Sequence, residues 1–192
     1  MAGPPRIVGF GGALGSSSTS FLALKLALAG AEATGAETVA YDVRELALPM
    51  YEWGVPPPAA AVHLADAMHR ADGLVWSSPL YHGSVSGVFK NAIDWLELLA
   101  DREPPYLTDK PVGLIGCSGG AQSMQSINTL DFIVRALRGW VVPFSVPLVT
   151  AGKVFDESGA AVEMRVDAQL RMLGSEVTRA ARIFRGAATH PL

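Results

Sequence analysis

The sequence predicts an α/β fold: a doubly wound parallel sheet of five strands with helices on both faces, in three layers. Three observations lead there. Apolar runs alternate with stretches of helical spacing along all 192 residues, the pattern of a parallel sheet covered by its crossover helices. Three of the runs (6–10, 73–78 and 111–116) show little apolar–polar alternation, as strands buried on both faces do. Apolar residues make up 49% of the chain and charged residues 17%, which fits a large buried core and excludes a disordered chain. The length suits one domain, residues 1–192.

The elements follow in order. RIVGF (6–10) is the first strand, and the alanine- and leucine-rich stretch from Phe21 to Thr34 is the first helix, closed by Gly35 as a C-cap. TVAYDV (38–43) is the second strand. LPMYEWGVPPP (48–58) is one long irregular loop with large aromatics, of the kind that often borders a site; Tyr51 and Trp53 either overhang a ligand or seal the loop against the core. Ala59 to Arg70 is helical, and GLVWSS (73–78) is the third strand. The helix Val88 to Leu99 carries Ile93, Trp95, Leu96, Leu98 and Leu99 around much of its circumference. That exceeds one core face and predicts packing against a second subunit. PVGLIG (111–116), a helix from Ser123 to Leu137, WVVPFSV (140–146) and a last helix from Val166 to Phe184 complete the chain. Pro143 puts the fifth strand at an edge, because proline has no N–H for a ladder.

Charge and cysteine content narrow the function classes. A net charge of −3 with no basic stripe argues against nucleic acid as a partner. No apolar run approaches the ~20 residues that cross a bilayer, and MAGPPRIVGF lacks the features of a secretory signal. The lone Cys117 allows no intrachain disulfide and fits a reducing compartment. These features predict a cytoplasmic location without a membrane partner. His63 and His69 share a helix but lack the further ligands of a metal site.

In such sheets ligands bind beyond the carboxyl ends of the strands, and three strands run into loops of one kind: GGALGSSSTS, SPLYHGSVSG and CSGGAQS. The first puts Ser16 to Ser20 at a helix start, where unpaired N–H groups and hydroxyls suit a phosphate; one of those hydroxyls is also what an ordinary N-cap needs. In the second loop Tyr81 and His82 lie between Pro79, Gly83 and Gly87, offering an aromatic face, polar edges and close backbone approach. The alternative is a tight turn with an exposed tyrosine. The third loop brings Ser118, Gly119 and Gly120 to another helix start.

The segment from Ser78 to Leu96 carries Pro79, Tyr81, Ser84, Gly87, Lys90, Asn91, Asp94 and Trp95, spaced as P-x-Y-x-x-S-x-x-G-x-x-K-N-x-x-D-W. In this it resembles the flavodoxin-like NAD(P)H-dependent FMN reductases, among them sulfonate-system flavin reductases, chromate and quinone reductases and azoreductase-like members. The likeness runs from about Arg6 to Phe184. It implies FMN as cofactor and NAD(P)H as co-substrate, with ping-pong hydride transfer to FMN and onward to a flavin, quinone or similar small-molecule acceptor. By the same resemblance Gly12, Ser17, Ser18, Thr19 and Ser20 would hold the FMN phosphate. Pro79, Leu80, Tyr81, His82, Gly83 and Ser84 would line the ring and ribityl chain, and Ser118, Gly119 and Gly120 would close on the pyrimidine side. Lys90, Asn91 and Asp94 would be structural and interface residues, and no side chain need be a catalytic acid or base. A homodimer or homotetramer is implied. The chain departs from the family in one respect: its first loop, Gly11 to Ser18, has no arginine where many members place one.

Other readings compete. The first loop misses the G-x-G-x-x-G register of a dinucleotide-binding Rossmann fold, and Asp42 lies ~30 residues past Gly11 where that fingerprint expects ~20. Gly116-Cys117-Ser118-Gly119-Gly120 satisfies the G-x-S-x-G elbow of serine hydrolases, but the histidine available downstream, His190, sits two residues from the C-terminus. A flavodoxin-like electron carrier would keep FMN without reducing it from NAD(P)H.

Overall fold

The computed structural model of the protein describes residues 3–15 and 18–187. Five strands, β1 (Arg6–Gly11), β2 (Glu37–Asp42), β3 (Gly73–Tyr81), β5 (Pro111–Cys117) and β6 (Trp140–Leu148), form one parallel sheet in the order β2-β1-β3-β5-β6. The fold is therefore α/β, doubly wound and flavodoxin-like in strand order. A sixth, two-residue strand, β4 (Ser84–Val85), lies outside the five-strand expectation and pairs antiparallel with the end of β3.

Alternate residues of the central strands feed the two faces. Val8, Leu74, Trp76 and Leu114 point to a core shared with α3 (Ala59–Arg70), α4 (Gly87–Asp94) and α5 (Ser123–Ala136). Their neighbours Ile7, Val75 and Ile115 point to the other core, built with α1 (Thr19–Ala33) and α6 (Met164–Ala187). Each central strand is thus apolar on both faces, which is why its sequence does not alternate. On the second face α1 and α6 cross at Gly30 and Gly174. A Cβ at Gly174 would run into the carbonyl oxygen of Ala27, and one at Gly30 into that of Arg171.

β6 is an edge strand, as Pro143 requires. Its register to β5 slips between Val112 and Leu114, which oppose Val141 and Ser145. Pro143 sits in that bulge, where no ladder N–H is needed.

The segment 88–99 departs from the expected single helix. α4 ends at Asp94, and Trp95–Leu99 continue as a 3-10 turn. Ile93, Trp95, Leu96 and Leu99 are buried within the single chain and Leu98 is half-buried, so packing inside the chain already accounts for most of their wide distribution. Ile93, Leu96 and Leu99 join the core that α3 shares, with Leu64 and Met68, and the loop 48–58 packs on Trp95. Asn91 fastens that loop: its side chain accepts the N–H of Tyr51 at 2.8 Å and donates to the carbonyl of Pro49 at 2.9 Å. The indole N–H of Trp95 reaches the same Pro49 carbonyl at 3.0 Å. Tyr51 meets the Trp95 ring edge-on at 5.2 Å. The aromatic loop therefore seals α4, while Trp53 stays 77% exposed. No described helix is long and apolar enough to cross a membrane.

Candidate functional site

β1 is the point where the winding reverses, with β2 on one side and β3 on the other, so a crevice opens beyond the carboxyl ends of β1 and β3. Glycine and serine shape its floor. Gly12 has φ +113°, and a Cβ there would lie 2.6 Å from the buried Asp42 carboxylate. Its N–H bonds the Ser77 carbonyl at 3.3 Å, while the Ser77 hydroxyl donates to the Ser20 carbonyl at 2.7 Å. The first loop is thus tied to β3 before α1 begins. Gly12 acts as this turn and does not line the cleft.

Ser18 is the N-cap of α1, its hydroxyl oxygen accepting the Phe21 N–H at 3.2 Å. It also lies 3.0 Å from the Ser20 hydroxyl. The Thr19 hydroxyl donates to the Ala151 carbonyl at 2.9 Å, fastening the segment after β6 to the helix start. The third loop is sewn to the same segment: Ser118 N–H bonds the Leu148 carbonyl, and Ala151 N–H bonds the Ser118 carbonyl, each at 2.9 Å. One cleft of about 230 Å³ results, where Ser18, Thr19 and Ser20 meet Pro79, Leu80 and Tyr81 from the second loop and Ser118 and Gly119 from the third.

The second loop is a hairpin. His82 and Gly83, at φ +50° and +85°, form the two-residue turn between β3 and β4, whose pairs are Leu80–Val85 and Tyr81–Ser84. Two successive positive φ angles are what a tight hairpin of right-handed twist demands. His82, Gly83 and Ser84 are exposed on this projection and do not line the cleft, whereas Tyr81, 54% exposed, does. Gly120 also stays off the cleft; its carbonyl accepts the Ser118 hydroxyl. Ser17 and His190 lie outside the described residues.

Four lining residues were not expected from the sequence: Ala13, Gly15, Cys117 and Ala151. The first three lie within the loops GGALGSSSTS and CSGGAQS, beside the residues singled out there. Ala151 had no local signal, because its place depends on contacts with residues 132 positions away. Cys117 is fully buried, and burial pushes its thiol pKa up to about 12, so it is a neutral small hydrophobe at neutral pH and not a redox nucleophile. Ser118 is a poor hydrolase nucleophile as well. Its hydroxyl is spent on its own loop, and among the described residues no histidine lines the cleft. Asp42, which a Rossmann reading would give to a ribose, accepts the Arg44 N–H at 2.9 Å as the cap of α2 (Val43–Leu46) and pairs with the Arg44 guanidinium at 3.6 Å.

The donor set fits a flavin mononucleotide. The first turn of α1 offers N–H groups and hydroxyls for a phosphate. A Cβ built at Gly15 or Gly119 meets no atom within 4 Å, so the rim stands open to a flat ring, with Tyr81 at its edge. Among the described residues no cluster of His, Cys, Asp and Glu suits a metal.

Comparison with known proteins agrees. Residues 5–153 match the family described as NADPH-dependent FMN reductase. An FMN-dependent NADPH-azoreductase of Staphylococcus aureus (strain USA300) is 39% identical over 97 residues. That match spans 50% of this chain and 48% of the relative, so the chain aligns with about half the length of the curated relatives it matches. Among solved structures, RosB with a bound formyl derivative of riboflavin phosphate superposes with a TM-score of 0.77 at 15% identity, over 95% of this chain and 81% of that one. FerB, an NAD(P)H:acceptor oxidoreductase from Paracoccus denitrificans, superposes at 0.71 with 19% identity, covering 93% and 98% of the two chains. At such identities the structures speak for the fold alone.

Proposed function

Because the chain belongs to the NADPH-dependent FMN reductase family, we propose that it is an NAD(P)H-dependent flavin oxidoreductase that binds FMN in the cleft beyond β1, β3 and β5. The observation that carries this reading is the meeting of three loops and the α1 N-terminus in one cleft at the point where the sheet reverses. The hydroxyls of Ser18 and Ser20, with the first N–H groups of α1 including that of Thr19, hold the phosphate without a cation in the loop. Pro79, Leu80 and Tyr81 wall one side of the ring, and Ser118 and Gly119 close on its pyrimidine edge. Bound FMN would supply the redox chemistry, hydride transfer from NAD(P)H and onward reduction of a small acceptor (a flavin, a quinone or an azo compound) in alternating half-reactions. The protein orients the ring, leaves one face open for the nicotinamide and then the acceptor, and needs no side-chain acid or base.

The test is visible absorbance of the FMN-loaded protein under anaerobic conditions. Bleaching of the bound flavin on adding NADPH or NADH is the expected outcome, with recovery of colour on adding a quinone or an azo dye. Retained colour that neither nucleotide bleaches would instead identify an electron carrier.

A further inference from the structure

A second cleft, of about 700 Å³, adjoins the flavin cleft and shares Ser18, Thr19 and Ala151 with it. It lies past the start of α1, between the outer face of that helix, the end of β2 and the segment 151–159. Its volume falls in the ~300–1,000 Å³ range of small-molecule sites, whereas the flavin cleft alone falls below it. Nothing in the flavin reading uses it.

Its surface divides into three kinds. Phe21, Leu22 and Phe155 give it half-buried apolar walls. Lys25, whose Nζ lies 5.6 Å from the Phe21 ring, and Arg44 bring two cations. Three carboxylates also line it, and two of them have internal work. Asp42 caps α2 and pairs with Arg44. Asp156 accepts the Ser158 N–H and hydroxyl and the Ala160 N–H at 2.6–3.0 Å, which holds its pKa below the usual carboxylate value. The exposed Glu157 is left to face a ligand. An apolar slot, cations and a carboxylate match the three parts of an adenosine phosphate: a flat base, a phosphate and ribose hydroxyls.

We propose that this cleft is an adenylate subsite, reached across the shared hydroxyls of Ser18 and Thr19. It would receive the adenosine-phosphate half of a dinucleotide whose other half lies at the flavin cleft. Two sources share that chemistry, the AMP half of FAD and the adenosine end of NAD(P)H. The inference rests on the flavin reading of the adjoining cleft, and its test keeps the two apart.

Adenosine 5′-monophosphate is titrated by calorimetry into the protein with and without FMN. Saturable binding is expected, weakened about tenfold in Lys25→Gln/Arg44→Gln while FMN affinity holds. Lys25→Gln alone, at an exposed position, gives the same direction should loss of Arg44 unsettle Asp42. If FAD is the source, FAD binds more tightly than FMN and the double variant erases the difference. If NAD(P)H is the source, FAD and FMN bind alike, AMP competes with NADPH, and the double variant raises the KM for NADPH. Protein that binds FMN but neither binds AMP at millimolar concentration nor prefers FAD overturns the subsite. Failure to bind FMN with AMP binding intact overturns the flavin reading and leaves the subsite standing.

Discussion

Glycine serves opposite ends in two regions of this molecule. At the α1–α6 crossing, Gly30 and Gly174 are where two backbones touch, and any Cβ would meet a carbonyl oxygen. At the carboxyl edge of the sheet, Gly15 and Gly119 face open space, with no atom within 4 Å of a Cβ placed there. The first pair buys close packing; the second leaves room for something other than protein. Composition alone cannot separate these uses. What separates them is whether the missing side chain would meet the chain itself.

Substitutions sharpen that contrast. The largest effect belongs to charge at the open edge. Ser18→Asp keeps a good N-cap, since aspartate caps as well as serine, but sets a carboxylate against the flavin phosphate. Two like charges ~4 Å apart at an effective dielectric of ~20 repel by about 4 kcal/mol, so FMN affinity should fall on the order of a thousandfold by fluorescence titration, with the melting temperature nearly unchanged. Undiminished FMN binding would place the phosphate elsewhere. Next comes the crossing. Gly174→Ala removes a poor helix former, which by propensity would stabilise by about 1 kcal/mol. Overpacking against Ala27 should win, costing about 2 kcal/mol net and lowering the melting temperature by roughly 4–8 °C. A variant as stable as the parent would mean that the helices do not touch there. The smallest effect is Gly119→Val: stability within about 0.5 kcal/mol, as for a surface change, but FMN affinity about tenfold weaker, a loss of about 1.4 kcal/mol.

The contrast also explains what the sequence made legible. Strand positions were readable within two or three residues because burial on both faces leaves continuous apolar runs, as in 73–78 and 111–116. β3 nonetheless extends to Tyr81, because the loop after it folds back as a hairpin through His82 and Gly83. A lone histidine at positive φ leaves little trace in a sequence. The apolar circumference of 88–99 was visible, but not its cover. Asn91 and Trp95 draw the loop 48–58 over it through hydrogen bonds spanning 40 to 46 residues. The three loops that meet in the cleft were legible from their glycines and hydroxyls. The segment 151–159 was not, since only tertiary contacts such as that of Thr19 with Ala151 bring it to α1. Arg44 escaped for the same reason: it follows β2 in sequence and reaches the second cleft only in the fold.

In the proposed function the open edge holds a phosphate through helix N–H groups and hydroxyls alone. Comparing the dissociation constants of FMN and riboflavin tests it most directly, because the two ligands differ only in that phosphate. Charge-assisted hydrogen bonds of about 1.5–3 kcal/mol each predict that FMN binds at least about tenfold more tightly. Equal affinities would contradict the account, because the first turn of α1 would then hold nothing.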